Sequence, residues 1–263
     1  MEPLLASTSQ TKHEIPMESL LDEALKVATS VADREAEALH HISDTLRRSP
    51  KMQRGFRHAL QLALQYTSAV PGNPGGKIIV VGVGKSGIIA RKIASMLLSL
   101  GTQAVFLHPA DCLHGDLGMV CPEKDVVLAM SQSGTTSEVV AFLQLDVVQG
   151  CRRIAMTSNS SSPLAKLADA WIDCSTAPDL DLDGSLSKAN GSPPVSEAYP
   201  EIPAPTSSTT VMLAVGDAFA IALTHAKGIE RETFIKNHPG GQLGVTFGLE
   251  SLRHRLEGKR QWQ

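Results

Sequence analysis

The sequence predicts an α/β protein, a three-layer α/β/α sandwich around a five-stranded parallel sheet with two helices ahead of it. Three observations predict it. Lys77 to Val81, KIIVV, is a short continuous apolar run as in a strand buried on both faces, and further strands fit Gln103 to Leu107, Asp125 to Met130, Arg153 to Thr157 and Ala170 to Cys174. Helical patterns lie between most of them, which calls for right-handed crossovers and a parallel sheet covered on both faces. Turns rich in glycine or serine, at 82–87 and 131–136, fall at the carboxyl ends of strands, where such sheets bind ligands.

Taken in order, residues 1–16 are polar and irregular and read as a flexible tail. From Met17 to Arg48, apolar residues at Leu21, Leu25, Ala28, Ala32, Leu39, Ile42 and Leu46 keep a helical period with charges between them. Pro50 interrupts this helix. Met52, Phe56, Leu60 and Leu64 mark a second, which ends before the Pro- and Gly-rich loop 70–76. These leading helices, 17–67, are expected either to mediate self-association or to pack on their own sheet. Beyond the first strand, helices are expected at Ser86 to Leu100, with Ile89, Ile93, Met96 and Leu97 as the buried stripe, then at Ser137 to Gln149 and Ser162 to Ala168.

Between 176 and 196 the chain mixes Asp, Ser, Gly and Pro without periodicity and reads as a flexible insertion. Its alternating Asp179, Asp181 and Asp183 lack the Gly and Glu of a calcium loop. The hydroxyl cluster Pro205 to Thr210 then opens a helix to about Lys227, apolar on most sides from Val211 to Leu223 and so expected at the centre. Asn237 to Gly244 forms a turn presenting a histidine, and 251–263 is a basic tail.

Composition narrows the function classes. With 42% hydrophobic residues and a net charge of −3, the chain lacks the dense basic face that nucleic acid requires. No signal peptide is visible, and Val211 to Leu223, the most apolar segment, is short for a bilayer and carries Asp217. No membrane span is expected. Cys112, Cys121, Cys151 and Cys174 form no CxxC pair, which points to reduced thiols in a cytoplasmic setting.

The stretch SQSGTTSE, Ser131 to Glu138, follows an apolar strand and opens a helix. Free backbone N–H groups and small hydroxyls converge in such a turn, and the anion it suits best is phosphate. An ordinary helix cap uses the same residue types. GVGKSG, at 82–87, fits the dinucleotide pattern G-x-G-x-x-G, but no acidic residue ends the next strand, at Leu107 and His108. It also approaches a P-loop, with Ile79 where that motif needs its first glycine.

GVGKSG, HPADCLHGDLGMV (His108 to Val120), SQSGTTSE, EAYPEIPAPTSSTT (Glu197 to Thr210), GDAFAIAL and NHPGGQLG stand in one collinear order over roughly residues 40 to 250. Together they resemble the SIS, or sugar isomerase, domain of the arabinose 5-phosphate isomerases. Bacterial members carry paired CBS domains after it, so this chain, ending at Gln263, looks like a short form: a single isomerase domain over 17–250. The 176–196 insertion departs from the family.

The resemblance implies interconversion of D-ribulose 5-phosphate and D-arabinose 5-phosphate through a cis-enediol, which needs a base, a donor to the carbonyl oxygen and help with ring opening. By similarity the acid–base groups are Lys85, His114, Glu138, Glu197 and His238. Ser86, Ser131, Ser133, Thr136, Ser207 and Ser208 would hold the phosphate, with Gln132 matching related aminosugar-phosphate isomerases. Glu197 or Glu138 is the expected C–H base, Lys85 the group that polarises oxygen, and His114 and His238 the proton relays. Glu138 is equally placed to serve as a helix-dipole partner, and Lys85 to neutralise phosphate. The histidines lack zinc-site spacing, and no metal or cofactor is expected. A homotetramer or homodimer is expected by similarity. A non-catalytic sugar-phosphate sensor and a nicotinamide enzyme are the competing classes.

Overall fold

A computed structural model of the chain describes residues 16–68, 75–177, 197–238 and 245. The expected tails, most of the 176–196 insertion and the glycine turn after His238 lie outside the described residues.

Helix α1 runs Met17–Arg48 and α2 Pro50–Thr67. The junction is a Ser-Pro pair: Ser49 Oγ accepts from the Met52 N–H, and Pro50 occupies the first helical position. A proline there has a fixed φ suited to starting a helix and no N–H to leave unpaired. Strand β1 (Ile78–Val81), α3 (Gly84–Ser99), β2 (Ala104–Leu107) and the short α4 (Pro109–Cys112) follow. Next come β3 (Val126–Met130), α5 (Ser137–Leu143), α6 (Asp146–Gln149), β4 (Arg152–Thr157), α7 (Pro163–Leu167) and β5 (Ala170–Asp173). Helices α8 (Ser207–Ala226) and α9 (Arg231–Asn237) close the described part.

All five strands pair in parallel, in the order β2-β1-β3-β4-β5. The expected α/β sandwich is therefore observed. Side chains alternate along each strand, so Ile78 and Val80 join one core with α1, α2, α3 and α8, while Ile79 and Val81 join the other with α5 and α7. The chain goes from β1 to β2 on one side and returns to β3 on the other. That reversal opens a crevice at the carboxyl ends of β1 and β3.

The leading helices pack on their own fold. Met52, Phe56, Ala59, Leu62 and Ala63 of α2 are buried, and a methyl group at Gly55 would collide with the Trp171 carbonyl of β5. Ala38 and Ile42 of α1 are buried as well, whereas residues 17–30 are exposed throughout. Helix α8 is long and apolar enough by composition to cross a membrane; here it packs on α1, α2 and α3.

The single helix expected over 137–149 is two. Leu145 is extended between α5 and α6, and Gln149 Nε2 donates to the Gln144 carbonyl, satisfying a group freed by the break. Helices α4 and α9 are additions to the expected elements, being too short to show a period in the sequence.

Candidate active site

At the crevice lies a cavity of about 390 Å³. Its floor is the turn after β3. The Ser131 N–H donates to the Met156 carbonyl, and the Gln132 carbonyl accepts from Thr157 Oγ1, Ser158 Oγ and the Ser158 N–H, fixing the turn to β4. Gly134 has φ +67°, and a side chain there would meet the Ser162 and Thr157 hydroxyls. Only glycine takes that conformation without cost. Ser131 Oγ lies 2.8 Å from Thr136 Oγ1 and accepts from the Gly134 N–H; Ser133 Oγ lies 2.8 Å from Thr135 Oγ1. Ser131, Gln132, Ser133 and Thr136 all line the cavity.

The opposite wall begins with α3. Its N-cap, Val83, supplies no side-chain acceptor, so the first N–H groups are free to meet an anion. Lys85 and Ser86, in that first turn, line the cavity. A cation at the positive end of a helix opposes the macrodipole, so Lys85 is not there for the helix's benefit. It is exposed and has no ion pair among the described residues.

The third wall is Glu197 with the start of α8. Glu197 is 8% exposed. Its Oε2 accepts from the Thr206 N–H at 2.8 Å, Thr206 Oγ1 at 3.2 Å and the Ser208 N–H at 3.2 Å. The carboxylate thus caps α8 from outside, the stabilising position for a negative charge. Ser208 lines the cavity beside it; Ser207 is buried at the helix start and does not.

Three expected acid–base residues stand elsewhere. Glu138, in the first turn of α5, is exposed and borders a neighbouring, mainly apolar cavity of about 320 Å³ with Leu113 and Phe142. A hydrogen bond from its own backbone N–H, then the Ser137 hydroxyl and the charge of His108, hold its carboxyl below the usual range. His114 is exposed in the turn after α4 and lines neither cavity. His238, after α9, stacks on Phe234 with centroids 4.1 Å apart. The preceding Asn237 donates to the Leu98 and Ser99 carbonyls, at the end of α3 away from Lys85. That helix has 16 residues, or about 24 Å of length. Lys85, Ser86, Ser131, Gln132, Ser133, Thr136, Glu197 and Ser208 therefore share one cavity, and Ser207, Glu138, His114 and His238 do not line it.

The SIS domain family matches residues 74–222, a span from just before β1 into α8 that contains every wall of the cavity. The chain belongs to the SIS domain family. Among curated relatives of this SIS protein, arabinose 5-phosphate isomerase KdsD of Pseudomonas aeruginosa is 45% identical over 188 residues, 71% of this chain and 52% of the relative. KdsD of Yersinia pestis is 42% identical over 169 residues, 64% of this chain and 46% of the relative. The chain thus spans about half the length of the curated relatives it matches. A solved Escherichia coli CFT073 protein in complex with arabinose 5-phosphate superposes with a TM-score of 0.65 at 32% identity, covering 83% of this chain and 98% of that one.

One neighbour of the SIS site escaped sequence reasoning. His108 directly follows β2 as the N-cap of α4, accepts from the Ala110 N–H through Nδ1 and acts electrostatically on Glu138. Its signal was available: it stands at a strand's carboxyl end and opens the HPADCLHGD block.

Proposed function

We propose that this SIS protein is an aldose–ketose isomerase interconverting D-ribulose 5-phosphate and D-arabinose 5-phosphate through a cis-enediol. The observation that carries the reading is the convergence of a hydroxyl-rich turn, Lys85 and Glu197 on one cavity at the β1/β3 crossover. The phosphate sits over the 131–136 turn and the α3 N-terminus. Backbone N–H groups and small hydroxyls there supply donors, and the helix dipole favours the charge. The far end of an open-chain pentose then lies between Lys85 and Glu197.

Glu197 takes the proton from the carbon next to the carbonyl and returns it to the adjacent carbon, while Lys85 donates to the oxygen on which negative charge develops. Glu197 is preferred over Glu138 because it is buried and lines the phosphate cavity, whereas Glu138 is exposed and borders the next one. The step uses no metal or cofactor. His114 and His108, each next in sequence to a residue that lines the neighbouring cavity, Leu113 and Pro109, are the candidates for ring opening. The four thiols are free, in keeping with a cytoplasmic setting.

By similarity the working form is a homodimer or homotetramer, in which His238, at the far end of α3 from Lys85, would serve the cavity of a second copy. Light scattering beside an activity assay tests this; a fully active monomer would end it.

The chemistry is tested by proton NMR of the protein with D-ribulose 5-phosphate in heavy water. Wild type yields an arabinose 5-phosphate anomeric signal with deuterium at C2. Glu197→Gln lowers that rate by roughly a hundredfold to ten-thousandfold, the usual worth of a general base, and Glu138→Gln by much less. A phosphosugar that binds without conversion or exchange would leave a sensor.

A further inference from the structure

We propose that Arg34 and Glu35 of α1 are positioning residues for the Glu197 carboxylate, clamping its segment against the first turns of α8. The inference rests on the reading of Glu197 as the C–H base.

The Glu197–Ala198 segment lies between two helices. On the α8 side, Thr206 does double service: its N–H and hydroxyl donate to Glu197 Oε2, and its hydroxyl also accepts from the Ala198 N–H at 2.9 Å. On the α1 side, Arg34 donates to the Ala198 carbonyl at 3.4 Å. Glu35 Oε2 accepts from Thr210 Oγ1 at 3.0 Å, one turn further along α8. The two peptide units that flank Ala198 are thus held, the first through its N–H by Thr206 and the second through its carbonyl by Arg34, and the helix that the base caps is tied to the same turn of α1.

Successive helical residues diverge by about 100°, which lets one turn of α1 reach two targets. That turn is itself anchored, because Ala38 and Ile42 on the same stripe are buried against the core. Arg34 is exposed, and its bond goes to a neutral carbonyl, a contact of small worth to folding. What it restrains is the peptide unit after Ala198, and a shift there passes through Ala198 to the neighbouring Glu197 carboxylate. A displacement of order 1 Å at a reacting group costs roughly a hundredfold in rate. The phosphate turn has its own supports in β3 and β4, so substrate capture is independent of the clamp.

The test compares wild type, Arg34→Met, Glu35→Ala and Glu197→Gln in steady-state conversion of D-ribulose 5-phosphate, with thermal melting of each. Arg34→Met and Glu35→Ala lower kcat by roughly tenfold to a hundredfold with KM within twofold. The primary isotope effect with C2-deuterated arabinose 5-phosphate rises, because proton transfer has become slower. Arg34→Lys and Glu35→Gln, which keep a donor and an acceptor, recover most of kcat. Unchanged kcat in both truncations, a change confined to KM, or no recovery in the conservative pair overturns the clamp while leaving Glu197 as the base. Full exchange in Glu197→Gln overturns the base assignment, and the clamp falls with it.

Discussion

The two ends of the parallel sheet are built on opposite electrostatic rules. At the amino ends of the strands, ionic groups are closed on one another. Asp125, 1% exposed, accepts from Lys77 Nζ at 2.7 Å, the Lys77 N–H at 3.0 Å and the Cys121 N–H at 2.8 Å. Asp169 accepts from the Arg153 N–H at 2.7 Å and faces the Arg152 and Arg153 guanidinium groups. Nearby, burial followed by the charge of Asp125 pushes the Cys151 thiol up to about 11, leaving it inert. At the carboxyl ends, α3 begins without a side-chain cap, Lys85 stands at the wrong end of its helix for stability, and the Ser and Thr hydroxyls face a cavity. One end spends its charges on folding and the other keeps them for a ligand.

That contrast breaks if a substitution at one end behaves like one at the other. Asp125→Asn should be the costliest single change to stability at either end. It removes the charge from a buried pair, leaving Lys77 unmatched and an amide N–H facing donors, at about 3 kcal/mol. Urea unfolding measures the loss, and kcat of the folded fraction should stay within twofold of wild type. Lys85→Met should do the reverse, abolishing turnover while leaving stability unchanged or raised by about 0.5 kcal/mol, since a cation leaves the positive end of a helix. If Lys85→Met destabilises as Asp125→Asn does, the division between the ends is wrong.

The same division explains what could be read from the sequence. Strand positions were legible because buried runs such as Ile78 to Val81 are apolar without interruption. The hydroxyl-rich turn was legible because its residues are contiguous and its bonds local, Ser131 to Thr136 and Ser133 to Thr135. The break at Leu145 was not, for no glycine or proline marks it and the apolar period continues across. Glu197 entered through family resemblance alone. Its partners are Thr206 and Ser208, and its segment is tied to Arg34 across 164 residues, a distance over which periodicity carries no information. The aim of Glu138 toward the next cavity depends on how α5 is rotated against α4, which tertiary packing sets. The crossover from β2 back to β3 also belongs to tertiary structure, and it is what makes the site.

Lys227 supplies the finest test, because it is a partly buried amino-end cation with no ion pair among the described residues. It follows α8, and its Nζ donates to the Thr67 carbonyl at 3.0 Å and Thr102 Oγ1 at 3.1 Å, joining the ends of α2 and α8 to the approach to β2. Burial lowers its pKa from 10.5 to about 8. The folded chain therefore releases this proton near pH 8, while the unfolded chain keeps it until near 10.5. Between those values the unfolded state binds more protons, and stability attributable to this group rises with pH. Below about pH 8 both states are charged, and the desolvation penalty is felt in full. Lys227→Met removes the titration, so the difference in stability between wild type and variant should shift in favour of wild type from about pH 8 to about pH 10. Thermal melting across that range measures it. A flat difference would mean that the two hydrogen bonds compensate the ammonium fully, and the closed end of the sheet would then include Lys227 on the same terms as Asp125.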